Sequence, residues 1–354
     1  MEELKLYTIG DLKQWVLKGE RKEGLSDSII TPTRAFAFVN NPYASDEMPV
    51  VSALFTNGEL AAYTAAFPEK LLKPDCITHW FNSLYVSPKY EGKGYGLFVL
   101  GSLMECYGND PVFDLDAVST SVEILTYLGL QSGSFDQYNF RNKSIRLNSL
   151  KGKMANIYNK TQRYFEANST NVSLKKRITK ALYTLQYDDF IDSAAFDFIR
   201  EHSSSDAFLR TKDSLNWMLR YPFVHEAPLL DRVKQGNLFS SSKPWQRYYV
   251  VKVFVGSELV GVYILCDSST RLTLLYIYYE ERYQEEVLLS ITEHIIKFGN
   301  ARFATTHPLV ADFVQKHKLY SFNSITPTSF CYPKEYDWMA AKTIQGGDGD
   351  MLLN

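Results

Sequence analysis

The chain's strongest constraint on its own fold is an internal repeat, because the second half echoes the residue pattern of the first. The segment LYVSPKYEGKGYGLFVLGSLMECYG, Leu84–Gly108, aligns without a gap on LYIYYEERYQEEVLLSITEHIIKFG, Leu275–Gly299. Shorter echoes flank it: GELAAYTAAF with SELVGVYILC, YLGL with KHKL, and LKLYTIGDLKQW with LYTLQYDDFIDSAAF. A repeat of this length predicts two similar domains.

A chain of 354 residues is long enough for two such domains. We expect an N-terminal domain over residues 1–145 and a C-terminal domain over residues 181–335. The segment 146–180 is rich in Asn, Ser, Thr and Lys, which is typical of a linker. The last residues, 336–354, end in GGDGDMLLN and are predicted to be a flexible tail outside the active site.

Strands and helices alternate along the first half in a mixed order. Hydrophobic periodicity predicts strands at Lys5–Thr8, Val50–Phe55, Glu59–Ala66, Ile77–Val86 and Val112–Leu115, and helices from about Gly10, at Leu97–Tyr107 and near Ser119–Tyr127. The turn pair Asn57-Gly58 joins two of these strands as a hairpin. The order predicts an α+β (mixed α/β) fold in which each domain is a mostly antiparallel mixed sheet flanked by helices.

Composition excludes several classes of protein. The formal net charge of -2 does not favour a nucleic-acid partner, which requires clustered positive charge. The four cysteines are far apart and form no C-x-x-C pair, which argues against a zinc site and favours a reducing cytoplasm. No secretory leader is evident, and no apolar run approaches the ~20 residues of a membrane helix. We therefore expect a cytoplasmic protein with no metal, nucleic-acid or membrane partner.

Three glycines alternate between a predicted strand and a predicted helix, at Gly92, Gly94 and Gly96. Such a turn lets main-chain N–H groups converge at the positive end of a helix, which attracts a phosphate. Lys93 adds positive charge, although a plain tight connection is the alternative. The spacing fits neither the P-loop nor the dinucleotide fingerprint. The second half has RYQEEV at the aligned position, so only the first half is expected to bind the anion.

The residues around this turn resemble the central motif of the GNAT superfamily of acyl-CoA-dependent acyltransferases, V-x-P-x-Y-[QR]-G-x-G-x-[GA]-x-x-L-[LM]. The chain reads VSPKYEGKGYGLFVL from Val86 to Leu100. The resemblance implies that coenzyme A binds through main-chain groups. The resemblance implies that main-chain N–H groups of Gly92, Lys93, Gly94, Tyr95 and Gly96 hold its pyrophosphate and that main-chain groups of Leu84 and Val86 contact its pantetheine arm. Tyr85 and Glu91 complete the set of residues expected at the CoA site.

Two residues depart from the family's pattern. Glu91 replaces the usual Gln or Arg and places a negative charge beside an anion site. Leu125 replaces the tyrosine that often protonates the CoA thiolate, and Tyr127 lies about 200° around a helix from it. Ser119 and Ser121 are the hydroxyls that remain as candidates.

A general base for an amine acceptor is sought on the strands beside the turn. His79 is the candidate base, because a histidine titrates near neutrality, and Tyr85 is expected on the same face of the strand. Asp114 and Asp116, at the end of the next strand, are candidates that act through a water. A structural histidine, a core tyrosine and a solvated strand end are the alternative interpretations.

Two segments are candidates for the acceptor side. Thr31–Val51 is turn-rich and contributes Arg34, Asn41 and Tyr43. The stretch Asp213–Phe223, predicted to be a helix that ends before Pro222, contributes Trp217, Arg220 and Tyr221. A surface connection and a helix packed into the core are the alternative interpretations.

The expected function is acyl transfer from acetyl-CoA to a small amine, with the second domain shaping the acceptor pocket. A non-catalytic CoA-binding or scaffold protein is the first alternative, which Glu91 and Leu125 favour. Aminoacyl transfer on the same tandem fold is the second.

Overall fold

A computed structural model describes residues 1–142, 174–222, 224–225, 241–242 and 245–349, with side chains at all but 224–225 and 241–242. The chain divides into two compact units, and each is assembled from separate stretches of sequence. The first unit comprises Met1–Phe135, Ser205–Trp245 and Thr328–Asn354, and the second comprises Asp136–Ser204 and Gln246–Pro327. Most of the predicted linker lies outside the described residues, and its last part, 174–180, is helical (α5).

The first half of the chain contains six strands and four helices in the described residues. They are β1 (Glu2–Thr8), α1 (Ile9–Lys18), α2 (Pro32–Val39), β2 (Pro49–Thr56), β3 (Glu59–Lys73), β4 (Asp75–Val86), α3 (Tyr95–Tyr107), β5 (Val112–Ala117), α4 (Ser119–Tyr127) and β6 (Gln131–Arg141), with a 3₁₀ turn at Pro88–Tyr90. Local chemistry sets several of these bounds. Thr8 and Asp11 form a capping box at the start of α1, and left-handed Gly19 ends that helix.

The described part of the second half follows this order of elements, with three additional two-residue strands, β8, β9 and β10. It contains β7 (Tyr183–Asp188), α6 (Ser193–His202), β8 (Leu209–Arg210), α7 (Lys212–Arg220), β9 (Val224–His225), β10 (Ser241–Ser242), β11 (Gln246–Val255), β12 (Glu258–Ser268), β13 (Leu272–Tyr279), α8 (Gln284–Phe298), β14 (Arg302–Thr305), α9 (Pro308–Lys316) and β15 (Phe322–Tyr332), with 3₁₀ turns at Glu281–Tyr283 and Lys334–Ala341. The predicted mixed fold of strands and helices is confirmed.

Each unit has a mixed sheet with one parallel pair of neighbouring strands. In the first unit the order is β1-β2-β3-β4-β5-β15, with β4 and β5 parallel and β8 paired on β3. In the second unit the order is β6-β14-β13-β12-β11-β7, with β13 and β14 parallel. The remaining pairs of these two sheets are antiparallel, so the predicted mostly antiparallel mixed sheet is confirmed. The short strands β9 and β10 form a separate parallel pair.

The last strand of each repeat pairs inside the unit built by the other repeat. Ser329 and Cys331 of β15 lie opposite Ala117 and Asp114 of β5, in the first unit. The part of β6 from Asp136 onward pairs with β14, in the second unit. The units are therefore not continuous stretches of chain, unlike the ranges 1–145 and 181–335 expected from the sequence.

Helices cover both faces of the first unit's sheet. On one face, α3 and α4 pack on β4 and β5 through Phe81, Leu100, Leu103 and Leu125. On the other face, the indole of Trp217 in α7 donates to the main-chain oxygen of Ala37 in α2, at 2.9 Å. The candidate site lies at the strands between these two layers.

One helix of the first unit was not predicted. The stretch Thr31–Val51 was expected to be a loop, but Pro32–Val39 forms α2. Its start follows ordinary helix chemistry, because the Thr31 hydroxyl accepts from the main-chain N–H of Arg34 and proline occupies the first turn. Its apolar run is short, and the turn-forming residues that follow it favoured a loop over the whole stretch.

The C-terminal residues are buried where a flexible tail was expected. Ile344 is 3% exposed, Gln345 4% and Asp348 0%. The segment is fixed by hydrogen bonds within the first unit: the main-chain N–H of Ala207 donates to the oxygen of Thr343, at 2.8 Å. The expectation of a flexible tail is therefore wrong for Ile344–Gly349, which belong to the core of that unit.

The ungapped alignment of the two halves is correct in the helices and wrong in the strands. Helices α3 and α8 end at the aligned glycines Gly108 and Gly299. In the strands, the N–H of Ser87 donates to the oxygen of Ala61, and the N–H of Glu280 donates in the same way to the oxygen of Val260. Ser87 and Glu280 are therefore equivalent in the structure, whereas the ungapped alignment places Ser87 two residues earlier in the second half. The difference arises because α8 begins directly after its 3₁₀ turn, whereas four residues, Glu91–Gly94, precede α3.

Candidate active site

The glycine turn forms an open cradle of main-chain groups at the start of α3. Gly92 and Gly94 have φ of 75° and 76°, and Gly94 is the N-cap residue of the helix. A Cβ atom on either would meet no atom of the described residues within 4 Å, so these glycines serve the backbone conformation and leave space open beside it in this part of the chain. Among the residues that the structure describes, no side chain caps α3, so the first N–H groups of this helix are available to an anion.

Gly96 lacks a side chain for a different reason. A Cβ atom here would lie 3.2 Å from both Ile124 of α4 and Val86 of β4. The residue therefore lets the first turn of α3 approach the strand and the neighbouring helix. This close packing fixes the position of the cradle relative to the end of β4.

Positive charge at the turn is provided mainly by Lys93. Its Nζ lies 5.1 Å from the centre of the Tyr90 ring, and it contacts no carboxylate in the described part of the chain. Lys89 is instead paired with Glu59, at 2.5 Å, and this hydrogen bond lowers the pKa of the Glu59 carboxyl. Glu91 is exposed and has no ion-pair partner among the described residues. The net charge of the turn itself is therefore balanced, and binding of an anion falls to main-chain N–H groups.

Strands β4 and β5 separate next to this cradle. They pair only from His79 and Val112 to Phe81 and Asp114. Beyond that point β4 has one extra residue relative to β3, so Asn82 forms a bulge, and β5 turns at Asp116, which has a φ of 63°. Beyond Phe81 and Asp114 the two strands are not paired with each other in the described residues, and this unpaired region is called the gap below.

The open edge of β4 presents main-chain groups to the gap. The N–H of Ser87 donates to Ala61 on β3, and hydrogen-bonded pairs alternate along antiparallel strands. The main-chain groups of Leu84 and Val86 are therefore directed away from β3, toward β5. These are the two residues from which main-chain contacts to a pantetheine arm were predicted.

The bulge reverses the alternation of side chains along β4. Tyr85 was expected on the same face as His79, but its ring lies 5.4 Å from Tyr63, on the face of the sheet that carries Trp80 and Phe67. His79 stacks on Tyr107 of α3, on the opposite face, with ring centres 3.5 Å apart. The expectation of a shared face is wrong, because one extra residue at position 82 moves every later side chain to the other face.

The position of His79 does not favour a catalytic base. The residue is 1% exposed, and its Nε2 lies 3.4 Å from Asp110 at the far end of the β4–β5 pairing. Burial lowers the pKa of the imidazole to about 4, although the Asp110 carboxylate opposes the change. A neutral imidazole packed between β4 and α3 is a structural histidine.

The other predicted catalytic residues lie near the gap but not beside His79. Asp116 is exposed at the end of β5, and Ser119 is exposed in the first turn of α4. Val112, which pairs with His79, is four residues before Asp116, or about 13 Å along a strand. The predicted catalytic residues therefore do not form one cluster, and Asp116 and Ser119 remain predictions.

The residue at the position where the GNAT motif often has a tyrosine is Leu125, and it lies in the core. Leu125 is 0% exposed and packs with Phe81 and Leu100. Tyr127 is 79% exposed on the outside of α4, so it does not take the place of the tyrosine. A thiolate leaving the gap would meet no tyrosine from α4.

Asn82 and Arg34 form a polar pair that sequence reasoning did not find. Arg34, in α2, is 1% exposed, and its Nη2 donates to the side-chain Oδ1 of Asn82 at 2.8 Å and to the main-chain oxygen at 3.3 Å. Arg34 was predicted to line the acceptor side, and the structure places it against the bulge of β4. The signal in the sequence was the polar pair Asn82-Ser83 inside an otherwise apolar strand.

The remaining acceptor-side candidates hold the unit together. Tyr43 hydrogen-bonds to Thr211 at 2.6 Å, Asn41 donates to Pro68 at 2.9 Å, and Trp217 is 5% exposed. Arg220 is exposed, and Tyr221 packs edge-on against Phe36 at 5.9 Å. The packing interpretation therefore fits Asn41, Tyr43 and Trp217 best.

The second unit has the bulge but not the cradle. Its strand β13 carries the extra residue at Leu275, relative to β12, as β4 does at Asn82. The residues Leu275–Tyr278 are all at most 5% exposed, whereas Leu84–Val86 of β4 are partly exposed. With no glycine turn before α8, the arrangement that suits an anion is found in the first unit.

Two further properties of the described residues concern metals and membranes. They contain no group of three or more His, Cys, Asp or Glu side chains placed to hold a metal ion. None of the helices within them is both long and apolar enough to cross a membrane.

Comparison with known proteins identifies the fold by structure alone. No model of a known protein family matches the chain, and no curated protein matches its sequence. A protein of unknown function from Enterococcus faecalis V583, described as a probable N-acyltransferase, has a TM-score of 0.52 and 10% identity over 96% of this chain and 74% of its own.

Two further solved structures have the same fold. A GCN5-related N-acetyltransferase from Anabaena variabilis ATCC 29413 has a TM-score of 0.50 and 9% identity over 94% of this chain and 72% of its own. One from Kribbella flavida has a TM-score of 0.50 and 11% identity over 94% and 70%. The chain therefore has the GNAT fold, as the turn predicted. At this level of identity, the likeness shows the fold and leaves the reaction to be argued from the site.

Proposed function

We propose that the protein transfers an acyl group from acyl-CoA, most simply acetyl-CoA, to the nitrogen of a small amine. The observation that supports it best is the joint presence, in one unit, of an open main-chain cradle at Gly92–Gly94 and the gap between β4 and β5 that begins at Asn82. A pyrophosphate and the thioester-bearing arm attached to it need these two features next to each other.

The residues of the chain would act mainly through their main-chain groups. The cradle N–H groups hold the pyrophosphate, with Lys93 as a rim cation, and Gly96 keeps the cradle against β4. The free main-chain groups of Leu84 and Val86 align the arm along the strand edge. Acyl-CoA supplies an activated carbonyl carbon: the amine nitrogen bonds to it, the C–S bond breaks, and the amine proton leaves.

A small amine and a cytoplasmic location belong to the same proposal. The face of β4 opposite α3 is lined by Tyr63 and Tyr85, beside the buried guanidinium of Arg34. Tyr63 is 1% exposed and Tyr85 is partly exposed, and a largely buried aromatic lining of this kind suits a small acceptor better than a polymer. The formal net charge of -2 supports an acceptor that is not a nucleic acid.

Binding of acetyl-CoA provides the first test. We expect millimolar acetyl-CoA to raise the melting temperature by mass action. The double variant Gly92→Glu, Gly94→Glu should abolish that shift, because it places two carboxylates in the cradle and strains left-handed backbone. Gly58→Glu is the matched control, since Gly58 also has a positive φ and open space but lies in the β2–β3 hairpin. An unchanged melting temperature for the native chain would contradict the proposal.

A CoA-binding protein without catalysis is the second candidate, because the position of the usual tyrosine is filled by buried Leu125. Turnover separates the two. Release of free thiol from acetyl-CoA across a panel of amines supports the transferase, and binding without release supports the second candidate.

A further inference from the structure

We propose that the side-chain amide of Asn82 donates a hydrogen bond to the carbonyl oxygen of the bound thioester. This inference rests on the proposed function, and it adds a side-chain donor to the main-chain groups of the gap. Asn82 is the extra residue of β4, directly after the last residue that pairs with β5. It directly precedes Ser83 and Leu84 in the chain, at the inner end of the gap.

The orientation of this amide is fixed by Arg34. A guanidinium only donates hydrogen bonds, so the atom that faces Nη2 at 2.8 Å must be the oxygen of the amide. The hydroxyl of Ser83 lies 3.4 Å from the same oxygen and donates to it. With its oxygen held by two donors, the Asn82 amide presents its NH₂ group in the other direction.

The NH₂ group is buried and has no acceptor in the described part of the chain. A buried donor is costly to leave unpaired, and such groups in native proteins usually mark a ligand, a water or a functional strain. The Arg34 pair prevents the amide from turning to find another acceptor. The protein therefore keeps a rigid, desolvated donor at the place where the strands part.

A thioester carbonyl is the acceptor that fits this donor. When an amine attacks the carbonyl carbon, the C–N bond forms and the C=O electron pair moves onto the oxygen. As the carbonyl reforms, the C–S bond breaks, the sulfur leaves with the electron pair of that bond, and the amine proton is released. A donor fixed beforehand at the oxygen lowers the barrier to this sequence, most strongly where water is excluded.

The first measurement reads the carbonyl directly and needs no acceptor. Acetyl-CoA labelled with carbon-13 at the carbonyl is bound to the full chain, and its stretching band is recorded by infrared difference spectroscopy. We expect the band to lie at lower wavenumber than in free acetyl-CoA, and Asn82→Ala and Asn82→Asp to move it back upward. Asn82→Asp is the sharper variant, because it keeps the oxygen that Arg34 contacts and removes the donor.

The second measurement is the rate with whichever amine is turned over. We expect Asn82→Asp to lower kcat by about 10²- to 10³-fold with little change in binding of acetyl-CoA. Asn139→Asp is the matched control: this partly buried amide of β6 donates to Gln137 and Thr326 in the second unit. The control should leave both the band and kcat unchanged.

The outcomes separate this inference from the function on which it rests. If the native chain binds acetyl-CoA and the Asn82 variants keep both the shifted band and kcat, the Asn82 role is refuted and the proposed function stands. A rise in KM for the amine with unchanged kcat would show that the Asn82 NH₂ group binds the amine substrate and not the thioester carbonyl. That result would also refute the role proposed here. A native chain that does not bind acetyl-CoA would overturn both.

Discussion

His79 and Asn82, three residues apart on β4, differ in how the fold treats a polar side chain. His79 is stacked on Tyr107 and neutral, so it contributes packing and shape. Asn82 is held by a cation and left with an unpaired donor among the described residues, which is an arrangement that packing alone does not require. The sequence suggested His79 as the functional side chain of this strand, whereas the structure favours Asn82 for that role.

Acid should destabilise the protein partly through His79. Its pKa is about 4 in the folded state against the ordinary histidine value of 6.5, so the unfolded chain binds more protons between these values. The free energy of unfolding should therefore fall as the pH drops from about 6.5 to about 4, by roughly 3 kcal/mol from this group. His79→Phe, which keeps a ring against Tyr107, should flatten that slope in urea titrations at several pH values. An equal slope in both proteins would contradict this account.

The side-chain faces of β4 illustrate what sequence can and cannot give at the residue scale. Alternation correctly relates neighbouring positions up to Phe81, because it follows from strand geometry. The reversal at Asn82 depends on how β3 and β4 pair, since the bulge exists only relative to the partner strand. Gly92 and Gly94 could be recognised because a left-handed turn restricts residue type locally.

At the scale of elements, α3 is the part on which the cradle depends. Its two internal glycines offer a matched pair. A Cβ at Gly96 would lie 3.2 Å from side chains of Ile124 and Val86, whereas one at Gly101 would lie 3.7 Å from Leu128, an ordinary contact.

We expect Gly96→Val to lower the free energy of unfolding by about 1–3 kcal/mol through overpacking and to weaken binding of acetyl-CoA by tilting α3. Gly101→Ala should raise stability by about 0.5–1 kcal/mol, because alanine is the better helix former. Urea denaturation and the thermal shift with acetyl-CoA measure both effects. Equal losses in the two variants would show that close packing at Gly96 is not what positions the helix.

Most elements could be predicted, but their extents and register could not. Helix α4 was predicted with the bounds that the structure has, since its apolar period is clear. Strand β3 continues to Lys73, beyond the predicted end at Ala66, because β4 and β8 extend the pairing. The strands of the two repeats are misaligned by two residues because the second repeat has a shorter turn before its helix and a longer helix after it. An alignment without gaps cannot represent two such differences.

At the scale of the whole chain, a buried ion pair ties the C-terminal segment to the sheet of the first unit. Arg210 contacts both oxygens of Glu69, at 2.7 and 2.6 Å, and donates to the main-chain oxygen of Gly349 at 2.6 Å. The indole of Trp80 donates to the same carboxylate. Burial raises the pKa of Glu69, and the Arg210 charge opposes that rise. These contacts join residues far apart in sequence, so no local sequence pattern predicts them.

Removal of the C-terminal segment should destabilise the protein. A chain that ends at Lys342 loses the hydrogen bond from Arg210 to Gly349 and the burial of Ile344. We expect a loss of about 3 kcal/mol or more in the free energy of unfolding. A chain that lacks only Met351–Asn354 keeps every one of these contacts and should denature like the native protein in the same urea titration. Equal stability of the two truncated chains would show that the segment is dispensable.

The exchange of final strands has a consequence for the order of synthesis. Strand β5 leaves the ribosome long before its partner β15, so the sheet of the first unit has an unpaired edge until the second repeat has been made. Expression of the first repeat alone would leave that edge permanently open and prone to aggregation. A protease cut between the repeats would leave each half still carrying a strand that the other's sheet requires. The repeats are similar in sequence, but each supplies a strand that pairs in the sheet of the other.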